Sequence, residues 1–499
     1  MSELFDPLLL GFSVALTPIN LFWCLVGAIL GTLIGVLPGI GPVATIAMLL
    51  PITFQLEPVG ALIMLAGIYY GAQYGGSTTA ILVNMPGESS SVVTCLDGFA
   101  MARKGRAGAA LAVAALGSFF AGTVSTLVVA LASPVMVGFA MLFGAAEYFS
   151  LMVFGLVAAI VLAQGSVAKA VAMTLLGLVL GLCGTDVNSG TQRFTFGIPE
   201  LADGIGFVPL AMGLFAIAEI AVQLERHFVR DTMAKMGSLW PTKDEVREAI
   251  PAVLRGTAVG SVLGVLPGGG ALLAAFASYT LEKRIAKDPS RFGQGAVAGV
   301  AGPESANNAG AQTSFIPMLT LGIPPNAVMA LMIGAMAIHG IVPGPQVMTR
   351  EPALFWGLIA SMWVGNLMLV VINLPLIGIW VRLLRVPYRL LYPAILVFCC
   401  IGVYALNSST FELLLTLGFG ALGYIFVKLG CEPAPLLLGF ILGPMMEENL
   451  RRAMRLSRGD PMVFFERPIS AALLAAAVLL LIAVLAPSLR RLRAKAFAE

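Results

Sequence analysis

Long apolar runs dominate the chain, and short clusters of glycine, proline and polar residues separate them. Two of the clearest runs cover residues 206–223 and 471–487, and neither shows the apolar/polar alternation of a half-buried strand. Their lengths approach the roughly 20 residues that a membrane-spanning helix needs. The pattern predicts an all-α polytopic integral membrane protein with roughly 11–13 spanning segments, rather than a β-barrel.

Composition supports this prediction. Of the 499 residues, 59% are hydrophobic and only 11% are charged, whereas a soluble domain carries about 25% charged residues. Membrane lipid is therefore the expected surrounding. The net charge of +3 gives no reason to expect a nucleic-acid partner. The six cysteines show no CxxC spacing and the two histidines form no ligand cluster, so no cofactor is expected and no metal is indicated.

The sequence of the first half returns in the second half. Residues 35–42, Gly-Val-Leu-Pro-Gly-Ile-Gly-Pro, reappear at 264–271 as Gly-Val-Leu-Pro-Gly-Gly-Gly-Ala. Residues 74–87 and 310–325 share an order of small, hydroxyl-bearing, apolar and Pro/Gly residues, and such an ordered return indicates duplication. The predicted units are a first transmembrane repeat at 1–224, a cytoplasmic linker at 225–250, a second repeat at 251–450, and a basic loop with an extra final span at 451–499.

Basic residues are distributed differently in the two halves. The first half carries Arg103, Lys104 and Arg106 in one loop, whereas the equivalent loop at 338–350 has Arg350 alone. Conversely, the loop at 52–58 has no base, while its counterpart after residue 281 is basic. Because cytoplasmic loops collect Lys and Arg, this asymmetry predicts that the repeats are inverted and that each crosses the membrane an odd number of times.

One group of arginines does not fit this arrangement. The cluster falls on the predicted outer side and consists of Arg451, Arg452, Arg455 and Arg458. Either the number of spans differs near the end of the chain, or the cluster is a docking surface for an external partner.

Matched Pro/Gly clusters interrupt the apolar runs of both halves. Each interruption releases backbone groups that cost several kcal/mol if they face hydrocarbon, so it must be buried in protein or line a wet cavity. Paired interruptions in inverted halves indicate a transport site near the midplane. They are interpreted as ion-coupling residues and tips of re-entrant hairpins, with a Pro/Gly-kinked helix as the alternative. The predicted tip residues are Pro38, Gly39, Gly41, Pro86, Gly87, Pro267, Gly268, Gly269, Pro324 and Asn326.

Polar clusters accompany these interruptions and are predicted to end half-helices. Hydroxyls, amides and exposed N–H groups at half-helix N-termini suit an anionic ligand, and released carbonyls suit Na⁺. The alternative is that the small and hydroxyl-bearing residues serve close helix packing. The predicted substrate-binding residues are Gly75, Gly76, Ser77, Thr78, Thr79, Asn84, Asn307, Asn308, Gln312, Thr313 and Ser314.

Three acidic residues lie near the same clusters. Glu88, Asp97 and Glu304 are functional candidates if they lie at membrane depth. Asp97 precedes Arg103 by only six residues, so structural pairing at the interface is the favoured interpretation for it.

At these motifs the chain resembles the large membrane subunit of the tripartite tricarboxylate transporter family. The resemblance covers almost the whole chain and rests on the segments 35–42, 69–79, 84–91, 96–105 and 302–309. It implies a multi-pass secondary transporter of the bacterial inner membrane, driven by a Na⁺ or H⁺ gradient. It also implies two partners, a small membrane subunit of about four spans and a periplasmic solute-binding protein that delivers citrate or another carboxylate.

The expected function is therefore ion-coupled import of a di- or tricarboxylate, and not an enzymatic reaction. Two alternatives remain at this stage. A passive channel would not accumulate its solute, and an integral membrane enzyme on a lipid-linked substrate would need a metal motif or an activated nucleophile. The sequence shows no HExxH or acid-rich metal motif.

Overall fold

Helices make up almost all of the ordered backbone of this protein. The computed structural model describes residues 2–37, 41–163, 166–186, 189–225, 237–267, 270–383 and 388–485. Within these ranges the β-structure consists of a two-stranded antiparallel ribbon, in which β1 (Gly184–Thr185) pairs with β2 (Gln192–Arg193).

Ten α-helices lie in the described part of the first half. A 3-10 turn (Ser89–Ser91) precedes the fifth, and π-helical segments (Ala102–Arg106 and Met212–Ile217) continue the fifth into the sixth and the ninth into the tenth. The helices are α1 (Ser2–Ala15), α2 (Pro18–Val36), α3 (Gly41–Thr53), α4 (Pro58–Val83), α5 (Val92–Met101), α6 (Ala107–Ala140), α7 (Ala145–Leu162), α8 (Val167–Gly181), α9 (Phe207–Ala211) and α10 (Ala218–Glu225).

The second half and the end of the chain continue in the same way. One short 3-10 turn lies in the first half at Pro199–Leu201, and another lies in the second half at Pro289–Arg291. The helices are α11 (Lys243–Leu263), α12 (Gly270–Ile285), α13 (Ala298–Thr313), α14 (Phe315–Leu321), α15 (Ala327–Ile338), α16 (Gln346–Arg350), α17 (Pro352–Asn373), α18 (Ile377–Leu383), α19 (Tyr388–Asn407), α20 (Thr410–Lys428), α21 (Ala434–Leu456), α22 (Val463–Glu466) and α23 (Pro468–Leu485).

Apolar side chains lie on the outer surface of the helix assembly as well as in its interior. Helix α20 exposes Leu414, Leu417 and Ile425, whereas α13 is buried along its whole length. Among the described residues, five helices are long and apolar enough to cross a membrane, and seven shorter helices are also apolar. The chain is an all-α polytopic membrane protein, as the hydrophobic pattern predicts; the number of crossings stays a prediction.

Helices α2 and α4 run parallel in direct backbone contact. From residue 27 to residue 35 of α2, every fourth residue is a glycine, and a Cβ atom there would lie 2.2–2.4 Å from a carbonyl oxygen of α4. The contacts pair Gly27 with Met64, Gly31 with Ile68, and Gly35 with Ala72. Because both helices advance together, α3 must return the chain between them. This is the course of a helical hairpin rather than of a kinked helix.

The second half repeats this arrangement. Gly256, Gly260 and Gly264 of α11 lie against the carbonyls of Gly302, Ala306 and Gly310 of α13. Helix α12 then runs antiparallel to α13, because Ala271 at its start contacts Gly310 and Glu282 near its end contacts Gly302.

The two halves also share the backbone conformation of their breaks. Helices α3 and α12 both begin at a glycine with positive φ, 66° at Gly41 and 42° at Gly270. Asn84 and Gly322, which end α4 and α14, are both left-handed, with φ of 55° and 71°. Four residues later, Glu88 and Asn326 have nearly the same dihedrals, φ −148° and ψ 168° against φ −152° and ψ 172°. These matches are the conformational counterpart of the sequence repeat.

Equivalent helices of the two halves run in opposite directions where they meet. The rings of Tyr70 and Phe315 lie 6.0 Å apart, and the Ser77 hydroxyl donates to Glu304. From residue 70 to residue 77 the numbering of α4 rises, whereas the numbering of the second-half residues in contact with it falls from 315 to 304. Inverted repeats require this antiparallel relation. The orientation of the protein in the membrane stays a prediction. The boundaries of the repeats and of the linker also stay predictions.

The polar clusters at 75–79 and 307–313 do not end half-helices, contrary to the sequence-based expectation, whereas Asn84 does end α4. Residues 75–79 lie inside α4, which continues to Val83, and residues 307–313 lie inside α13. The backbone leaves the helix only at 84–88 and at 322–326. Small residues at 75–79 permit close packing on α2, and the intact helix satisfies their backbone groups.

An ion pair between a buried carboxylate and a partly exposed guanidinium joins α11 to α12. The Arg255 guanidinium donates to both carboxylate oxygens of Glu282, at 2.7 and 2.6 Å, and the Glu282 side chain is almost completely buried. Replacement of Arg255 by Met should lower the free energy of unfolding by roughly 2 kcal/mol, because a buried carboxylate is left without its partner. Thermal unfolding of purified protein in detergent would measure the loss.

The matched control is the exposed pair Arg291–Glu248, at 3.0 Å. Because exposed pairs contribute about 0–1 kcal/mol, Arg291→Met should change the unfolding temperature little. The double variant Arg255→Met/Glu282→Met also removes the unpaired carboxylate, so its unfolding temperature should be higher than that of Arg255→Met. Equal losses for Arg255→Met and Arg291→Met would contradict the prediction.

Candidate functional site

The helix breaks of both halves surround one cavity of about 520 Å³. The first half contributes the start of α3 and the segment 86–90, and the second half contributes the starts of α12 and α15. Residues at the start of α21 and side chains of α4, α7 and α10 complete the wall. The cavity therefore lies where the equivalent breaks of the two halves approach each other.

Local sequence explains why the chain leaves the helix at this place. Asn84 adopts the left-handed conformation that commonly terminates a helix, and Pro86 cannot continue one. Gly87 then passes so close to α2 that a Cβ atom would lie 1.8 Å from the carbonyl oxygen of Gly35. Glycine is thus required at 87 for a close backbone approach.

Several helices point their N-termini at the cavity. Unsatisfied N–H groups and the helix dipole give such ends a partial positive charge, which favours anions. Four of these helices have at least 12 residues. Their first residues or N-caps line the cavity, namely Gly41 of α3, Gly270 of α12, Asn326 of α15 and Pro433 of α21.

Two side-chain amides also face the cavity with an N–H₂ group that lacks a good hydrogen bond to any described residue. Gln73 is fully buried; its Oε1 accepts from the Ser90 hydroxyl at 2.8 Å, and its Nε2 has no partner. Asn326 caps α15, because its Oδ1 accepts from the Met329 N–H at 2.9 Å. Tyr69 lies beside the Asn326 amide, but the Nδ2 group makes no hydrogen bond of good geometry to a described residue. Unused donors at a buried wall suit a ligand rich in acceptor oxygens, such as a carboxylate.

The charged side chains at this wall are acidic. Glu88, Glu219 and Glu432 line the cavity, and no Lys or Arg is among the described lining residues. The Ser90 hydroxyl donates to Glu88, and the Gln223 amide donates to Glu219. Among the described residues, the positive potential in the cavity therefore comes from helix N-termini.

Four of the predicted hairpin-tip residues line this cavity: Gly41, Pro86, Gly87 and Asn326. Pro267 and Pro324 are described but lie outside the lining. The remaining tip residues, Pro38, Gly39, Gly268 and Gly269, lie outside the described residues.

The eleven predicted substrate-binding residues are not among the lining residues of the cavity. In the first half they pack between helices: Gly75 lies against Thr32 of α2, and the Thr79 hydroxyl donates to the Val36 carbonyl at 3.0 Å. Gly76 lies against the Glu88 side chain, and Thr78 donates to the Tyr74 carbonyl at 3.3 Å. Their role as substrate ligands stays a prediction.

The second-half cluster is likewise buried between helices. The Asn308 amide donates to the Ser118 hydroxyl at 2.8 Å and to Asn307 Oδ1 at 2.7 Å. Thr313 and Ser314 donate to carbonyls of their own helical turn, at 3.1 and 2.6 Å, while Gln312 is buried with its Oε1 unpartnered among the described residues. The structure does bring the two clusters together, through the Ser77–Glu304 hydrogen bond.

Comparison with known proteins agrees with this architecture. The family model described as Tripartite tricarboxylate transporter TctA family matches residues 21–438. This chain belongs to that family. The match covers both sets of breaks and every described residue that lines the cavity, so the cavity is part of the TctA region of the chain.

Two relatives come from Agrobacterium vitis. An uncharacterized 52.8 kDa protein in the TAR-I ttuC' 3' region is 59% identical over 500 residues and covers 100% of both chains. An uncharacterized protein in the TAR-II ttuC' 3' region is 60% identical over 240 residues, which is 48% of this chain and 99% of the relative. No solved structure matches this TctA chain.

Several lining residues of this TctA protein were missed by the sequence-based prediction, notably Gln73, Glu219 and Glu432. Gln73 lies inside the 69–79 motif, but it precedes the Gly/Ser/Thr run on which the prediction rested. Glu432 lies two residues before the segment Ala434-Pro-Leu-Leu-Leu-Gly439, which resembles Val208-Pro-Leu-Ala-Met-Gly213 of the first half, so this similarity could have marked the break. Glu219 has no comparable signal in the sequence.

The arginine cluster at the end of α21 is partly engaged within the chain. Arg451 pairs with Asp186, at 2.9 Å, and with Glu447, at 2.6 Å, and Glu447 also accepts from Arg193 at 2.8 Å. These pairs fix the β1–β2 ribbon to α21. The Arg452 and Arg458 side chains are exposed, and the docking role and membrane side of the cluster stay predictions.

Proposed function

We propose that this protein is the large membrane subunit of an ion-coupled importer of a di- or tricarboxylate in the bacterial inner membrane. The observation that carries the proposal is the cavity between the two halves, where helix N-termini and two unused amide donors converge. Its volume of about 520 Å³ falls within the roughly 300–1,000 Å³ typical of small-molecule sites. A citrate-like anion matches both the size and the donors.

Ion coupling is supported by the charge of the same cavity. A multiply charged anion would enter a wall that carries three glutamates and no described basic side chain. Burial of such an anion is unfavourable unless cations accompany it or protons neutralise the carboxylates. Na⁺ or H⁺ bound together with the substrate would supply this compensation.

The way in which the hairpins are held supports an alternating-access mechanism. Backbone contacts bind α2 to α4 and α11 to α13, so each hairpin is expected to move together with its neighbour. Rocking or sliding of these units against the remaining helices would expose the cavity to each side in turn.

The proposed partners are those of the family. A small membrane subunit would pack on the apolar outer helices, and a periplasmic solute-binding protein would deliver the carboxylate. Selection among carboxylates would then be shared between the binding protein and the cavity.

Transport by the reconstituted tripartite system tests the proposal. We expect proteoliposomes to accumulate one or more of labelled succinate, malate and citrate above the external concentration under an imposed Na⁺ or pH gradient. Collapse of the gradient with an ionophore should abolish accumulation. Equilibration without accumulation would indicate a passive channel, and no uptake of any carboxylate would contradict the proposal.

A further inference from the structure

Glu304 is a buried acid at the contact between the two halves. It lies on α13 and has no exposed surface, and its carboxylate accepts from the hydroxyls of Ser77 on α4 and Thr94 on α5. The Asn307 amide lies beside it. Among the described Lys, Arg and His residues, none forms an ion pair with Glu304.

Three other buried acids among the described residues are compensated differently. Asp97 accepts from the backbone N–H groups of Gly295 and Ala296, at 2.7 and 2.8 Å, and from the Tyr279 hydroxyl at 3.0 Å. Glu282 and Glu147 are paired with arginines. Hydroxyl groups alone do not offset the cost of removing a carboxylate from water, so Glu304 requires a positive counter-charge that the described protein groups do not provide.

A second observation next to Ser77 also indicates a small ligand. The polar residues that line a small cavity of about 10 Å³ include Ser77, Thr78, Ser118 and Asn373. Asn373 is 4% exposed, and its Oδ1 has no partner among the described residues, whereas its Nδ2 donates to Thr32 and to the Leu369 carbonyl. This volume holds about one water molecule or one small ion, and an unused acceptor oxygen beside it favours a cation or its water.

Hydrogen bonds connect Glu304 to the substrate cavity. The Ser77 hydroxyl, which donates to Glu304, also lies 2.9 Å from the Gln73 carbonyl one turn earlier on α4. The Gln73 side chain lines the large cavity, and its Oε1 and the Glu88 carboxylate both lie within hydrogen-bonding distance of the single Ser90 hydroxyl. A change of charge at Glu304 can therefore alter the position of the donors that face the substrate.

We propose that Glu304, together with Ser77 and Thr94, binds the monovalent cation that enters with the carboxylate. A proton or a Na⁺ ion would each neutralise the carboxylate, and oxygen ligands suit both. The inference deepens the proposed function and rests on it. Because binding free energies are reciprocal, occupancy of Glu304 should raise the affinity for the carboxylate, and the carboxylate should raise the affinity for the cation by the same factor.

The test compares two activities of the complete tripartite system in proteoliposomes. Gradient-driven accumulation of labelled citrate requires the cation, whereas exchange of internal for external citrate does not require net cation movement. We expect Glu304→Gln to lower the ratio of accumulation to exchange by at least about tenfold. Separate Na⁺ and pH gradients identify the cation, because the variant should lose its response to whichever gradient drives the wild type.

Asp97→Asn is the matched control, since it neutralises an acid of equal burial that is held by backbone donors. It should leave the ratio of accumulation to exchange unchanged even where both rates fall. A Glu304→Gln protein that keeps the wild-type ratio would overturn the inference, while failure of the wild type to accumulate any carboxylate would instead overturn the proposed function.

Ser77→Ala provides a second measurement if Glu304→Gln does not fold. Loss of one oxygen ligand should raise the cation concentration for half-maximal accumulation by about three- to tenfold, because a hydrogen bond to a charged group contributes about 1.5–3 kcal/mol and is lost only in part. An unchanged cation dependence in Ser77→Ala would overturn the inference as well.

Discussion

Replacement of Gly87 by alanine is expected to abolish carboxylate uptake. A Cβ atom at this position would lie 1.8 Å from the Gly35 carbonyl oxygen and 2.6 Å from the Gly76 Cα, so the 84–88 break must move away from α2 and α4. The neighbouring Glu88 and Ser90 at the cavity wall would move with it. Because misplacement by about 1 Å can cost about 100-fold in rate, uptake should fall by at least about that factor.

Uptake in proteoliposomes, together with elution of the purified variant on size exclusion, would measure this effect. The matched control is Gly138→Ala, because Gly138 lies in helix α6 and a Cβ atom there meets no other atom within 4 Å. This substitution should preserve uptake, since alanine is favoured over glycine in a helix. Wild-type uptake by a folded Gly87→Ala protein would contradict the cavity as the transport site.

Replacement of Gln73 by leucine is expected to raise the KM for the carboxylate by about 10- to 100-fold, because a hydrogen bond to a charged group contributes about 1.5–3 kcal/mol. Gln73 is buried, and its amide donor faces the cavity without a described partner. Gln73→Glu should impair uptake further, since a carboxylate there removes the donor and repels an anion.

Initial rates over a range of substrate concentrations at saturating cation would give the KM values. Gln312→Leu is the informative comparison, because Gln312 is an equally buried amide of the second-half polar cluster and lies away from the cavity. A raised KM for Gln73→Leu alone supports the cavity. A raised KM for Gln312→Leu alone would instead place the substrate between the polar clusters on α4 and α13.

The breaks in the helices could be predicted from the sequence because their causes are local. Pro86 and Pro324 cannot continue a helix, and Asn84 and Gly322 tolerate the left-handed conformation that ends one. The prediction erred where it extended the break into residues 75–79. Gly, Ser and Thr are compatible both with a broken helix and with a helix that packs closely on another, and contact with α2 decides between the two.

The sequence by itself determined the helical membrane class, the duplication and the family, because composition, apolar run length and long motifs are properties of the chain alone. Only the tertiary structure decided which side chains face the cavity and that Glu304 is buried without an ion pair among the described residues. A membrane helix is apolar toward lipid and toward protein, so periodicity does not reveal the direction in which a polar residue points. The environments of Gln73 and Glu304 are set by the antiparallel packing of two distant halves, and this packing depends on contacts that no local segment encodes.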